Sequence, residues 1–448
     1  MTQPGTPDPR TQARVTRWLE DSPFSGFHWS LFLLGFGAFA LDGYCLIVYG
    51  ASVPLLLEPL HISLAQAGLI GSYALMGAAV GALTFGAVAD RIGRRRTLIL
   101  CIAIFSAGMA CSGLADGSMA FSIGRVVTGF GVGGCMPNMI ALASEYAPRR
   151  SRSTMVSMMI SGIQVGGVLS ALLGLALFTP FGWRSVFIAG AVPVLLLPLF
   201  AKLLPDSPAH LIRRGQLQLL RQLLGTVRPI SDEVLPEEST PALPTSGNTT
   251  AAASRAPLMA IFSDGRGFGT VMFWLVYFLN LYTIYGFTIW LPKLVMNQGY
   301  SLASGLTLLL TLSIVSVFGS FVAGRIADRW LGSRSTLLIF YVMAFLSIVA
   351  TGYASNFWVL MVCVSLAGAG FNGAQNCLNP YVAQFYPPHM RSTALGFCLG
   401  IGRLGSILGP ALTGFLMSLN FSYRGTLLAL ALPGLMPAVA IFAVREKR

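Results

Sequence analysis

Charge is scarce in this sequence. Asp, Glu, Lys and Arg make up 10% of it, against about 25% in a soluble domain. Apolar residues make up 54%, in runs as long as a bilayer is thick, which places the chain in the membrane-embedded class. Only four histidines occur: His61, His210 and His389 in loops, and His28 at a membrane edge. None has metal-ligand spacing, and no nucleophile–base set is visible, so an enzyme is not expected. No glycine-rich phosphate loop occurs, which argues against ATP-driven transport and a cofactor. All seven cysteines (Cys45, Cys101, Cys111, Cys135, Cys363, Cys377, Cys398) fall in apolar runs, and no disulfide is expected. No cleavable signal peptide is evident, because the first apolar run begins late and is too long for one.

What the sequence has in quantity is apolar runs of about 20 residues, the length that crosses a bilayer. They lie at approximately 28–50, 66–89, 97–115, 119–143, 154–178, 184–204, 267–291, 303–326, 336–353, 357–383, 392–418 and 424–444. The expected fold class is therefore an all-α membrane protein with twelve transmembrane helices. The net charge of +13 first suggests nucleic acid, but the arginines do not alternate with base-stacking aromatics. With a cytoplasmic N-terminus, only Arg184, Lys293 and Arg424 fall outside, and Arg125 and Arg403 within spans. The remaining Lys and Arg lie on the cytoplasmic side, which is the positive-inside bias.

The one long hydrophilic stretch, Pro205 to Arg266, has a core from Ser231 to Ser254 rich in Pro, Ser, Thr and Ala. It reads as a flexible linker between two six-helix bundles. The expected organisation is a cytoplasmic segment 1–27, a bundle 28–204, a linker 205–266, a bundle 267–444 and a cytoplasmic tail 445–448. Ala209 to Leu224 has helical spacing with arginines and is expected at the membrane surface. An internal repeat supports two halves. Gly86-Ala-Val-Ala-Asp-Arg91 recurs as Gly324-Arg-Ile-Ala-Asp-Arg329, and Arg152-Ser-Thr154 recurs as Arg391-Ser-Thr393. Gly162, Gly166 and Gly174 then align with Ile401, Gly405 and Thr413, and Gln164 with Arg403. Parallel repeats of this kind describe transporters that rock around a central site.

Gly86-x-x-x-Asp90-Arg91-x-Gly93-Arg94-Arg95 after the second span resembles the loop signature of the major facilitator superfamily. Pro205-Asp-Ser-Pro208 is similar to a second motif found there. Arg125 with Gly129, Gly133 and Pro137, then Glu145, Pro148 and Arg152, resembles a third. The match covers nearly the whole chain. Asp42-Gly43-Tyr44, Arg391 and Gly402-Arg403-x-Gly405 resemble the aromatic acid:proton symporter family. That family imports benzoate, hydroxybenzoates and related carboxylates. Its first-helix motif usually has a second acid three residues after the first, where Cys45 stands here. The resemblance implies a bacterial inner-membrane importer, with both termini cytoplasmic. Its expected partners are an aromatic carboxylate, a proton and the lipid bilayer, and it is expected to work as a monomer.

An ionisable residue within a span is costly unless paired or hydrated, so each is a functional candidate. Asp42 and Arg125 are placed at similar depth and assigned to proton coupling, the alternative being an ion pair that only locks two helices. A carboxylate in a low dielectric has its proton affinity raised by desolvation and lowered by a nearby arginine. Arg403, near the middle of the eleventh span, offers a planar fork that matches a carboxylate. It is expected to bind substrate, the alternative being a partner for Asp42. Gln164, Asn372, Gln375 and Asn376, with Asn379 and Tyr381, are expected to line the cavity. Tyr44, Tyr282, Tyr285 and Trp290 are candidates to stack on a ring, the alternative being helix packing and interfacial positions. A cytoplasmic gate is expected from Asp90, Arg91, Arg94, Glu145, Arg152, Asp328 and Arg391. In it Asp90 caps the eleventh helix near Arg391, Glu145 pairs with Arg152, Arg91 or Arg94, and Asp328 plays the part of Asp90 against the fifth helix. The runner-up reading is a carrier of sugars or another organic acid, or an exporter. A receptor that lost transport would lack the charges at 42, 125 and 403.

Overall fold

The computed structural model describes residues 9–229, 261–263, 265–387 and 390–444. The linker core Ser231 to Ser254, His389 and residues 445–448 lie outside the described residues. Among the described residues all regular structure is helical. Helix α1 (Pro9–Glu20) precedes the first long apolar helix, α2 (Gly26–Leu56). There follow α3 (Leu64–Ile92), α4 (Arg94–Gly113), α5 (Ser118–Tyr146), α6 (Arg152–Ile160) and α7 (Gly162–Phe181). The sixth crossing is α8 (Arg184–Ala191), a 3-10 turn (Val192–Leu196) and α9 (Leu197–Leu203), with Pro193 and Pro198 at the interruptions. Short helices α10 (Pro208–Arg213) and α11 (Leu217–Gly225) come next. After them are α12 (Gly267–Met296), α13 (Leu302–Ile326), α14 (Gly332–Thr351), α15 (Phe357–Phe385), α16 (Arg391–Ser418) and α17 (Tyr423–Ala443).

Among the described residues eleven continuous helical runs are long and apolar enough to cross a membrane, one of them Leu302–Thr351 with 50 residues. A straight helix of that length would span about 75 Å, over twice a bilayer's apolar core. The chain reverses instead through a π-helical turn, Ala327–Leu331, and Gly332 at φ +73°, a conformation that suits glycine. Gly319 of α13 and Ala344 of α14 then both touch α15, at Ala369 and Gly370. The 50-residue run is thus two crossings, and the described residues make twelve.

Tight packing follows from small residues, as membrane helices without a hydrophobic drive between them require. A methyl group on Gly129 or Gly133 of α5 would overlap the carbonyl oxygens of Ala74 and Ala78 on α3. Helices α2–α9 form one packed group and α12–α17 another. The arginine-rich turns at 91–96 and 149–152, with α1, α10 and α11, mark one face, called the basic face below. The two groups touch chiefly toward the other face. There Gly68 of α3 meets Pro410 and Ala411 of α16, Gly414 meets Leu64, Gly50 of α2 meets Ile289 of α12, and Gly174 of α7 meets Leu306 of α13. The Ser72 hydroxyl donates to Ile407 O at 2.5 Å, also between the groups. Toward the basic face a methyl group on Gly86, Gly324, Gly396 or Gly400 would meet nothing within 4 Å from another helix. The structure is closed at the opposite face and parted at the basic one.

The stretch Ala209 to Leu224, expected at the membrane surface, spends its apolar face on protein. Leu211, Ile212, Leu220 and Leu224 are buried together with Val15, Trp18 and Leu19 of α1. Arg228 donates to Trp18 O at 2.9 Å and lies over the Trp18 ring.

Candidate functional site

Helix α2 continues past the expected end of the first span to Leu56. That moves Asp42 from two-thirds of the way along to near the helix midpoint, level with the middle of α16, where Arg403 sits. Asp42 is buried, and its Oδ1 has no hydrogen-bond partner. The Cys135 thiol stands beside its carboxyl, and Arg403 is near enough to act on it electrostatically. An orphaned carboxyl oxygen deep in the protein is costly, so such an atom warrants an explanation.

Arg125 does not pair with Asp42. Its Nη1 donates to the backbone carbonyl of Cys45 at 2.9 Å, and its guanidinium lies 5.1 Å from the Tyr49 ring centroid. Cys45 is about one turn further along α2 than Asp42. Arg125, two turns from the start of α5, meets the helix at that level rather than at the acid. The residue that stands where the family's first-helix motif usually carries an acid thus presents its backbone to the arginine.

Arg403 is half-buried on α16. Its neighbours Gly402 and Gly405 pack on Tyr277 and Phe278 of α12. Among the described residues its guanidinium has no hydrogen-bond or ion-pair partner, and within the helix only its carbonyl accepts a side-chain bond, from Ser406.

The polar row of α15 is brought to one side of that helix. Asn372 Nδ2 donates to Ser316 Oγ of α13 at 3.1 Å, and Asn372 Oδ1 accepts from Gln164 Nε2 of α7 at 2.7 Å. Gln375 accepts from Asn280 at 2.6 Å and Asn379 from the Tyr277 hydroxyl at 2.5 Å, both on α12. Asn376, on the same side, is exposed. Tyr44 is turned away from this space. Its hydroxyl donates to Val186 O of α8 at 2.6 Å, which leaves it a packing residue. Trp290 likewise donates its indole N–H to Pro410 O at 2.9 Å and is fully buried.

A twelve-crossing fold with a buried acid on one helix group and an unpaired, half-buried arginine on the other, both at mid-depth, is the architecture of a carrier. Sequence comparison agrees. The family model described as Major Facilitator Superfamily matches residues 31–349 and 307–448. The benzoate transport protein of Acinetobacter baylyi is 37% identical, over 98% of this chain and 94% of its own length. The gallate transporter of Pseudomonas putida is 34% identical, over 96% and 94%. The chain belongs to the major facilitator superfamily and, within it, to the aromatic-acid transporters. The inward-open structure of the xylose transporter XylE from E. coli matches the fold with a TM-score of 0.73 at 17% identity, covering 93% of this chain and 96% of that one.

At the basic face of the transporter the charged residues gather within the first helix group rather than across the two. Arg94 Nε meets Glu145 Oε1 at 2.7 Å, one of the three pairings open to Glu145. Arg152 instead reaches Glu20 of α1 at 3.0 Å. Ser207 donates to Glu145 Oε2 at 2.5 Å and Arg95 to Asp206 at 2.8 Å, so the segment after α9 is tied onto the α3–α4 turn. Glu20, Asp206 and Ser207 are site members that sequence reasoning missed. Asp206 and Ser207 lie in a quoted motif, which was a signal for them; Glu20 had none. His210 packs under Gly93, which has φ +91°. Burial, then the charges of Arg214 and Arg213, hold its imidazole below its usual proton affinity. Asp90, Arg91, Asp328 and Arg391 are exposed. Asp90 and Asp328 enter no ion pair among the described residues, and Arg391 Nε donates to Tyr386 O at 3.0 Å. The expected cap of α16 by Asp90 and its counterpart at Asp328 are not made in this state, because the two helix groups are parted at this face.

Proposed function

We propose that this transporter takes up an aromatic carboxylate of the benzoate or hydroxybenzoate type together with a proton, by alternating access, with its basic face in the cytoplasm of a bacterial inner membrane. The observation that carries this reading is the Arg403 guanidinium, half-buried at mid-depth with no partner of its own. A fixed cation in a partly dry cavity is stabilised by an anion, and the planar fork favours a carboxylate with two parallel bonds. Relatives named for benzoate, gallate and 4-hydroxybenzoate support an aromatic acid.

Asp42 supplies the proton step. Buried and within electrostatic reach of Arg403, it takes up a proton as the substrate carboxylate arrives at Arg403, and it releases that proton to the basic face when the substrate leaves. Substrate and proton then share one pair of charges. Arg403 meets the carboxylate, and protonation of Asp42 removes the competing anion. Asp90, Asp328 and Arg391 act in the alternate state, where the basic face closes and their cross-group contacts form.

The test is uptake of labelled benzoate, 4-hydroxybenzoate and a non-aromatic acid by cells carrying this transporter alone, at acidic external pH, with and without a protonophore. The aromatic acids accumulate and the protonophore abolishes accumulation. Undiminished accumulation after the gradient collapses contradicts proton symport, and equal uptake of the non-aromatic acid contradicts the substrate class.

A further inference from the structure

Gln164 and Asn372 were both expected to touch substrate, yet the structure joins them to each other. Gln164 lies on α7 and Asn372 on α15, so the 2.7 Å bond crosses between the two helix groups. Among the described residues it is the one side chain–side chain hydrogen bond that does so. The Asn372 amide is otherwise saturated, its Nδ2 donating to Ser316 Oγ and to Gly368 O at 3.0 Å. No donor or acceptor of that amide is left pointing at an empty space.

Its position along the α7–α13 contact matters. From the closed face inward, Gly174 meets Leu306, then Gly167 meets Ser313, then Gln164 meets Asn372 beside Ser316. The bond is the inner edge of the closed zone, and among the described residues no side-chain hydrogen bond between the groups lies further toward the basic face.

The repeat sharpens this. Helices α5 and α15 correspond residue by residue. Gly129, Gly131 and Gly134 fall at the same offset of 239 from Gly368, Gly370 and Gly373, which places Gly133 opposite Asn372. The structure keeps the correspondence. Gly133 abuts Ala78 of α3 where Asn372 bonds Ser316 of α13. Gln164 answers to Arg403. One of the two equivalent places is therefore filled by two amides bonded to each other, and the other holds an unpaired cation opposite a glycine and an alanine.

We propose that Gln164 and Asn372 form an inter-group tie that favours the state closed at the opposite face, acting as positioning residues rather than as substrate ligands. This rests on the reading above only in assuming that the protein alternates between two states. The identity of the substrate does not enter.

The test uses a cysteine reporter. Ser72→Cys places a thiol in the buried α3–α16 contact, in a Cys111→Ser, Cys363→Ser background that removes the more exposed native thiols. A membrane-impermeant maleimide added at the opposite face labels it only when that face opens. Gln164→Leu and Asn372→Leu each raise the labelling rate about fivefold without any substrate, the factor expected for one hydrogen bond of ordinary strength. The double variant rises no further than either single one. Exchanging the two residues, Gln164→Asn with Asn372→Gln, brings labelling back toward the parent. Unchanged labelling in the single variants, or additive effects in the double variant, overturns the tie. Failure of aromatic-acid uptake in the parent protein would leave these outcomes intact and would count against the proposed substrate alone.

Discussion

Two places that the internal repeat makes equivalent are filled in opposite ways. On α7, Gln164 reaches across and donates to Asn372. On α16, Arg403 reaches into the same central space and finds no partner, only the distant charge of Asp42. A twofold-related scaffold supplies two inward-facing positions, and chemistry needs only one of them to be unsatisfied. In the reading proposed above, the amide place holds the helix groups in contact and the charged place receives the substrate's anion. Specificity for a negative ligand then comes from the asymmetry of the two halves and not from the fold, which carriers of quite different cargo share.

Removing the acid on the charged side should have the largest effect. Asp42→Asn keeps the shape of the side chain and deletes its titration. Accumulation against a gradient should be lost completely, while exchange of labelled for unlabelled substrate persists and the protein remains in the membrane. Paired uptake and exchange assays check this. Normal accumulation by the variant would make Asp42 a structural residue. Cys45→Asp should retain uptake, because Arg125 already donates to the backbone of residue 45 and its Nε is buried without a partner. A carboxylate there gains a ready counter-charge. Loss of uptake with normal membrane insertion would mean that a second acid disturbs the Asp42–Arg403 relation.

The crossings were legible because bilayer thickness imposes a length and a polarity that composition alone reveals. The family was legible because its motifs lie in the turns at 86–95, 145–152 and 205–208. Arg403 stood out as an arginine in an apolar run. The pairings were less legible. A sequence places Arg125 and Asp42 at similar depth, but one helical turn decides whether a guanidinium meets a carboxylate or a carbonyl, and α2 proved longer than its apolar run. Tyr44 is aromatic and near the acid, yet the rotation of α2 aims it at Val186. The contact between Gln164 and Asn372 joins residues 208 positions apart and depends on how two groups lean together. The gate charges were named from their motifs, but which of them meet depends on the state. In this one the basic face is open.

The central claim is that Arg403 anchors the carboxylate. Its most direct test is binding of an aromatic acid and of the corresponding uncharged amide to purified wild-type protein and to Arg403→Lys and Arg403→Ala. Lysine keeps the charge and loses the planar fork, so it should bind the acid more weakly, and alanine more weakly still. The alanine variant should lose roughly 2–5 kcal/mol toward the acid, much of it from the carboxylate left unpaired. The amide never used that pair and should bind wild type and variants nearly alike. Equal loss for acid and amide would make Arg403 a residue that holds the fold, and would contradict the account.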